Sequence, residues 1–412
     1  LFNKDSRNDQ NCEENFTEDQ NLNFDTYQRY DKSKIWQVHN DYFLNIGLKA
    51  WTSGDIPYTG VSNYTEALKK ASVFIENLKL HKLSYKTSVI RILEVGAGYG
   101  EFAINFLQAL KQICEKEKLS FYQRCEYYIS DYADTTLNEL RNNPRLSKFI
   151  NKIKFIKLDV LEKPDLEYKF HLILSTYLLD QFPARVIVKN NTKFYEKYLA
   201  ISENEIISLK ESASSKQRIK LPFSKPKNYI KKLKKEVTFR EFDFDTIPRY
   251  DQLNLLPCFR KNSASSTIVY SYHSLQALNN LLSILAVEGL MIHSDFNAKS
   301  RPGFDNYEPC YYGNSIAQPV NFEYLYLSFK ATKKVILFED PIKPLHTFIM
   351  SHPDSDKSIK LGEAYNRIYK QNIFLRLMTK FLVEIQLGFY VLLIIMILYI
   401  VYYYLFSFNY IG

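Results

Sequence analysis

The hydrophobic pattern switches repeatedly between two periods, and each switch marks an element. Val89–Val95, "VIRILEV", is an apolar, β-branched run that predicts a strand buried on both faces. In the next segment, "EFAINFLQALKQICEKEK", the apolar residues Phe102, Ile104, Phe106, Leu107, Leu110 and Ile113 fall mostly on one helical face. Gly96, Gly98 and Gly100 lie where the strand ends and the helix begins, the place of a ligand crevice in a doubly wound sheet. The alternation then recurs. "CEYYISDYAD" predicts a strand over Tyr127–Ser130 closed by Asp131, "KIKFIKLDVLE" a third ending at Asp159-Val160-Leu161, and "KFHLILSTYLLDQFP" a fourth that opens into a loop at Ser175. Further on, "HSLQALNNLLSILAVEGLMIHSDFN" predicts an amphipathic helix, a turn at Gly289 and a fifth strand, Leu290–Ser294, closed by Asp295-Phe296. "KKVILFED" can supply an antiparallel hairpin strand. Strands alternating with helices predict an α/β fold with a mostly parallel sheet.

The ends of the chain read differently. Residues 1–30 are polar and acid-rich with little to bury, which predicts a disordered leader. Leu387–Phe408, "LGFYVLLIIMILYIVYYYLFSF", runs about 22 residues without a charge, enough for a helix to cross a hydrocarbon core. Lys370, Arg376 and Lys380 precede it and tyrosines crowd its end, so it reads as a single-pass anchor with the main domain on the basic side, cytoplasmic or matrix.

Composition narrows the classes. Hydrophobic residues at 46% and charged residues at 24% fit a globular chain. Part of the net charge of +9 comes from "KPKNYIKKLKKEV", whose lysines can meet nucleic acid or anionic lipid but read first as a solvated face. No nucleic-acid module accompanies them, and nucleic acid is not expected as a partner. Five scattered cysteines without a CxxC pair, and histidines without ligand spacing, exclude a disulfide framework and indicate no metal.

The glycine turn selects among cofactors by elimination. The dinucleotide fingerprint places its third glycine where this chain has Glu101, a carboxylate facing the helix N-terminus where a pyrophosphate sits. The phosphate-binding P-loop requires a G-K-[ST] that is missing. What remains is E-x-G-x-G-x-G, opened by Glu94. This resembles the first motif of class I S-adenosylmethionine-dependent methyltransferases. The resemblance implies a seven-stranded methyltransferase sheet and S-adenosyl-L-methionine as cofactor. It implies that Glu94, Gly96, Gly98 and Gly100 lie against the methionine part, Asp131 at the ribose diol, and Asp159 and Val160 at the adenine, with Ser175 at the mouth of the fourth strand. Tyr58, Thr59 and Asn63, ahead of the motif, are further candidates to line the site.

Roughly 115 residues separate the fourth and fifth strands, far more than a crossover helix needs, which predicts an inserted subdomain. "ILSTYLLDQFPARVIV" is similar to the fourth-strand motif of the MidA-like group, which contains the mitochondrial complex I assembly-factor arginine methyltransferases, and Asp180, Pro183 and Ala184 fit its frame. Thr176 and Tyr177 stand where the group has Asn and Glu. A guanidinium acceptor needs carboxylates to hold its fork, which leaves Asp180 as the carboxylate at hand. Asp180 and Tyr177 are the catalytic candidates, with His273 and Asp295 as further candidates for a base and His273 equally readable as a cap or core contact.

The expected organisation is a leader at 1–30, a helical lead-in at 31–88, and the cofactor-binding half at 89–187. A lysine-rich insert at 188–265, the second half at 266–345, a helical linker at 346–384 and the anchor at 385–409 follow. The expected function is methyl transfer to a protein substrate. A small or lipid-like substrate at a membrane is the second reading, and an inactive methyltransferase-fold scaffold or assembly factor the third.

Overall fold

The structure is a computed structural model; it describes residues 25–53, 56, 62–83, 89–202, 230, 233–259, 265–298, 307–330, 335–339, 345–352 and 367–368. Strands in chain order are β1 Gln28–Arg29, β2 Ile90–Val95, β3 Cys125–Asp131, β4 Ile153–Lys157, β5 Phe170–Thr176, β6 Arg185–Asn190 and β7 Lys193–Ile201. They continue with β8 Lys235–Glu241, β9 Ser265–Tyr270, β10 Leu285–Phe296, β11 Cys310–Tyr312, β12 Ser315–Ala317, β13 Val335–Glu339 and β14 Leu345–Ser351. The helices that matter here are α1 Lys34–Ile46, α2 Lys49–Thr52, α3 Tyr64–Leu80, α4 Glu101–Lys116, α5 Asp134–Arg141, α6 Arg249–Leu255, α7 Tyr272–Ser283 and α8 Phe322–Lys330. The chain divides into two compact units: 1–56, 180–273 and 298–321 form one, and 57–179, 274–297 and 322–412 the other.

The second of these carries a seven-stranded sheet in the order β13-β14-β10-β5-β2-β3-β4. The five strands from β10 to β4 are parallel to one another, and β14 is antiparallel to both β10 and β13. The sheet is therefore mixed. Val335–Glu339, within "KKVILFED", forms one arm of the closing hairpin, as edge strand β13, and β14 is the strand that runs against the rest. Because β14 lies at Leu345–Ser351, the helical linker expected from 346 begins inside the sheet. Here a short apolar run, "LHTFIM", paired with a strand far away in sequence, and that pairing decided its state.

The central strands are buried on both faces, as their unbroken apolar runs require. Ile90, Ile92, Leu93, Phe170, Leu172, Ile173, Leu290, Met291 and Ile292 are fully buried. α4 covers the sheet with Phe102, Phe106, Leu107 and Leu110, and Phe106 meets the Tyr127 ring at 5.8 Å. Gly289 is not the expected turn. It lies within β10, at the irregularity where Leu285 pairs with Phe170 but Leu290 already pairs with Leu172. A Cβ there would stand 2.8 Å from the Phe170 carbonyl oxygen, so the close approach of backbones demands glycine.

The other unit has its own five-stranded sheet. β7 pairs with β6, β8 and β1, and β6 pairs with β9, all antiparallel. The inserted segment is thus only part of a unit that also recruits residues ahead of the methyltransferase-like stretch. Asp25, expected in the leader, donates its N–H to the Ile201 carbonyl at 2.8 Å, and β1 pairs Gln28 with Leu199. Tyr30, Ile35, Trp36, Val186, Leu199, Ile201 and Ile316 share one core. The expected lead-in is correspondingly divided, with α1 and α2 in this unit and α3 in the other. The sheet reaches from Arg185 to Tyr270, beyond both bounds expected for the insert.

Tyr58, Thr59, most of the lysine-rich stretch and the apolar segment Leu387–Phe408 lie outside the described residues. Among the described residues no helix is long and apolar enough to cross a membrane.

Candidate functional site

The site is built at the carboxyl ends of β2, β3, β4 and β5. Val95, the last residue of β2, pairs with Ser130 of β3 and with Ser175 of β5, so the glycine turn, Asp131 and the end of β5 share one edge of the sheet. The turn is anchored to β3: the N–H groups of Gly96 and Ala97 donate to the Ser130 carbonyl at 3.0 and 3.3 Å, and Ser130 Oγ donates to the Glu94 carbonyl at 2.9 Å. Gly96, Gly98 and Gly100 have φ of 66°, 52° and 78°, left-handed values that side-chain-bearing residues seldom adopt. Gly100 caps the N-terminus of α4 in that conformation.

Glu94, Asp131 and Glu101 lie at the turn or on the strand beside it, and Asp159 lies past the end of the edge strand β4. Glu94 is buried, and its Oε2 accepts the Tyr127 hydroxyl at 2.9 Å. Desolvation pushes its pKa up to about 8 against the pull of that hydrogen bond and of the Lys70 charge. Asp131 accepts the Ala133 N–H at 2.9 Å, and burial raises its pKa to about 6. Glu101 opens α4 and pairs with Arg145 at 2.5 Å. Asp159 is exposed beyond β4 and accepts the Leu161 N–H at 2.9 Å, while the adjacent Val160 is buried and its carbonyl accepts Asn280 Nδ2 at 2.9 Å. The acids disfavour a phosphate at this turn and favour a ligand that carries positive charge.

β5 runs one residue past Ser175, to Thr176. Ser175 is buried, with its Oγ 2.5 Å from His293 Nδ1 in a hydrogen bond to β10. It is therefore engaged with the sheet's own core. Tyr177 holds a φ of 56°, a strained conformation for a bulky residue, and stacks on Phe296 at 4.8 Å and 15° between planes. Asp295 is buried; its Oδ2 accepts the Leu179 N–H at 2.7 Å and its Oδ1 the Phe296 N–H at 2.9 Å, so it fixes the loop after β5. Asp180 is buried and belongs to the other unit, where its Oδ1 accepts Gln181 Nε2 at 2.6 Å and its carbonyl accepts the Gln318 N–H at 2.8 Å. His273 donates from Nδ1 to the Pro183 carbonyl at 2.8 Å, the structural contact that its sequence position allowed. Asn63 is the N-cap of α3, accepting the Glu66 N–H at 3.1 Å.

One residue was overlooked in the sequence. Lys70 on α3 is 5% exposed and donates from Nζ to Thr176 Oγ1 at 2.9 Å, with Nζ 5.0 Å from the centre of the Phe102 ring. The signal was present: Ala67, Ala71, Phe74, Ile75 and Leu78 form a helical stripe into which Lys70 falls.

Comparison with known proteins decides the class. The model of methyltransferase family 28, S-adenosyl-L-methionine-dependent methyltransferases, matches residues 71–309. The chain belongs to this family. Its cofactor is therefore S-adenosyl-L-methionine. Among solved structures, the methyltransferase is similar to a COG1565 superfamily member from Burkholderia thailandensis crystallised with S-adenosyl-homocysteine. The identity is 12%, the TM-score 0.52, and the match covers 80% of this chain and 89% of that one. A native structure of a COG1565 superfamily protein from the same organism aligns at 12% identity and a TM-score of 0.50, over 81% and 91% of the two chains. At this identity the likeness establishes the fold. No curated protein matches the sequence.

Proposed function

We propose that this methyltransferase modifies a protein side chain, in the manner of the MidA-like group, with Glu94, Gly96, Gly98, Gly100, Asp131, Asp159 and Val160 holding the cofactor. The observation that carries the reading is the turn itself, with three left-handed glycines between a buried acid and a strand-end acid at one edge of the sheet. S-adenosylmethionine supplies a methyl group already activated for displacement, so the protein's main work is alignment, worth roughly 7–11 kcal/mol in well-oriented reactions. Tyr177 and Phe296 offer a flat aromatic wall at the end of β5, against which an acceptor can be oriented.

The fourth-strand frame supports a protein acceptor, through Asp180, Pro183 and Ala184. An arginine acceptor rests on Asp180 alone, because Tyr177 replaces the family carboxylate and Asp295 is held by two backbone N–H groups. The apolar segment Leu387–Phe408 supports a place at a membrane, with the methyltransferase on its cytoplasmic or matrix side.

The test is calorimetric titration with S-adenosylmethionine, followed by transfer of labelled methyl groups to membrane and soluble fractions. Gly98→Arg abolishes binding, and Asp131→Ala weakens it by about tenfold or more, the scale of a hydrogen bond to a charged group. Asp180→Asn leaves binding intact and reduces transfer. Unchanged affinity in both cofactor variants would remove the site as described; label confined to lipid would replace the protein acceptor.

A further inference from the structure

The unit with the five-stranded sheet has an outer edge at β8, and among the described residues no strand pairs with that edge. β8, Lys235–Glu241, pairs with β7 on its other side. At the two ends of that ladder Phe242 donates its N–H to the Phe194 carbonyl at 3.0 Å, and Ser202 donates to the Lys234 carbonyl at 3.2 Å. Bonding alternates along an antiparallel pair, so the even-numbered residues of β8 bond β7 and the odd-numbered ones turn their N–H and C=O groups to the open side. Such a row is a template for another strand. The usual protections are missing: β8 is seven residues long, holds no proline, and keeps its register with β7 without a bulge. Val237 is 50% exposed and Phe239 42%, both on the side of the sheet that carries Leu199.

The order of residues in β8 selects what fits this edge. Turned about a two-fold axis through Thr238, β8 lies antiparallel to a second β8 with Val237 opposite Phe239, Glu236 opposite Arg240 and Lys235 opposite Glu241. Every charge then faces its opposite, each β-branched residue faces an aromatic one, and the two threonines meet on the axis. These are the cross-strand pairs that stabilise antiparallel sheets. The backbone agrees with this register, because Val237 and Phe239 both turn their hydrogen-bonding groups outward and can exchange two bonds. A shift of two residues either way takes Glu236 off Arg240 in both strands, and a shift of one sets outward groups against inward ones.

We propose that β8 joins two copies of this chain edge to edge about a two-fold axis at Thr238, so that one sheet runs through both. The same patch serves on each side, which closes the assembly at two copies. The charged side chains have partners within the chain as well. Glu236 Oε2 accepts the Tyr27 hydroxyl at 2.7 Å, and Glu241 Oε2 lies 3.0 Å from Lys193 Nζ. Arg240 lies over the Tyr198 ring at 4.7 Å, and Lys235 over the Tyr311 ring at 4.5 Å. Glu236, Arg240 and Glu241 remain exposed in these contacts, and exposed ion pairs are weak, so a facing strand can engage the same charges.

The experiment is light scattering of the full chain in detergent micelles over a dilution series. The parent is a dimer that dissociates reversibly. Glu236→Arg and Arg240→Glu each set like charges opposite one another twice, and each weakens the dimer on the order of tenfold or more. The double variant Glu236→Arg/Arg240→Glu restores the parent dissociation constant, because its exchanged charges meet again across the axis. Within one chain these residues stand about 13 Å apart along the strand, so an effect confined to the chain is not rescued. Thr238→Cys gives, on oxidation, more disulfide-linked dimer than the parent or Arg240→Cys, since residue 238 meets its own copy at a Cα separation of about 4.5 Å, which a disulfide spans. A monomer at every concentration overturns the proposal. Slow hydrogen exchange at Val237 and Phe239 in that monomer would put a segment of the same chain on the edge, and fast exchange would leave it to an unlike strand. A dimer indifferent to both single reversals overturns it too, because the copies then meet elsewhere, as does a double variant no tighter than the singles. Neither the cofactor nor the methyl acceptor enters these outcomes.

Discussion

Glu94 shows how a residue legible in the sequence acquires its properties from its surroundings. Its place two residues before Gly96 marks it as part of the motif, but its protonation follows from burial with the Tyr127 hydroxyl as partner. In the unfolded chain it ionises near 4.5, in the folded chain near about 8. Between those values the folded state keeps a proton that the unfolded state has released, so this residue makes stability fall as pH rises from about 4.5 to about 8. Glu94→Gln removes that slope. Denaturant unfolding at several pH values should find the variant and parent alike near pH 4 and the variant more stable at pH 7, by on the order of 2 kcal/mol. Tyr177 illustrates the opposite case. Nothing in "LSTYLLD" announces a left-handed tyrosine, because its φ of 56° is imposed by the N–H bond to the Ser294 carbonyl at 3.0 Å and by the stack on Phe296.

At the scale of elements, period and composition reveal β2, α4, β5 and α7, since each buries a face whose spacing is visible in the sequence. Gly289 was legible as a glycine with a reason, but not as this one. A turn and a close backbone approach leave the same mark in a sequence. The Phe170 carbonyl oxygen, 2.8 Å from where a Cβ on Gly289 would stand, separates them. Gly289→Ala should cost about 1–3 kcal/mol, the usual range for overpacking a core position. Thermal unfolding measures it, and S-adenosylmethionine affinity should be unchanged because the irregularity lies at the opposite, amino end of the pairing with β5. The strand β14 escaped notice because "LHTFIMS" is short and its burial is supplied by β10, some fifty positions earlier.

For the whole molecule, the division into two units changes what an insert means. The unit with the five-stranded sheet takes its strands from Gln28–Arg29 and from between Arg185 and Tyr270, and its core also from Tyr30, Ile35, Trp36 and Ile316, so no single excision removes it cleanly. The C-terminal segment belongs to this scale as well. If Leu387–Phe408 spans a bilayer, the full chain resists alkaline carbonate extraction and a chain ending near Lys380 is released. Release of both in fractionated membranes would remove the anchor from the proposal.

By itself the sequence determined the α/β class, the order of the central strands' apolar runs, and the acid-and-glycine turn, because these are local patterns whose physics acts within one strand–turn–helix. Only the tertiary structure decided the pairing of Gln28 with Leu199, the antiparallel closing strand, the bond between Ser175 and His293 and the reach of Lys70 to Thr176. Each of these joins residues from distant parts of the chain, and contacts of that kind are selected by the burial and hydrogen bonding of the assembled fold, not by neighbours in sequence.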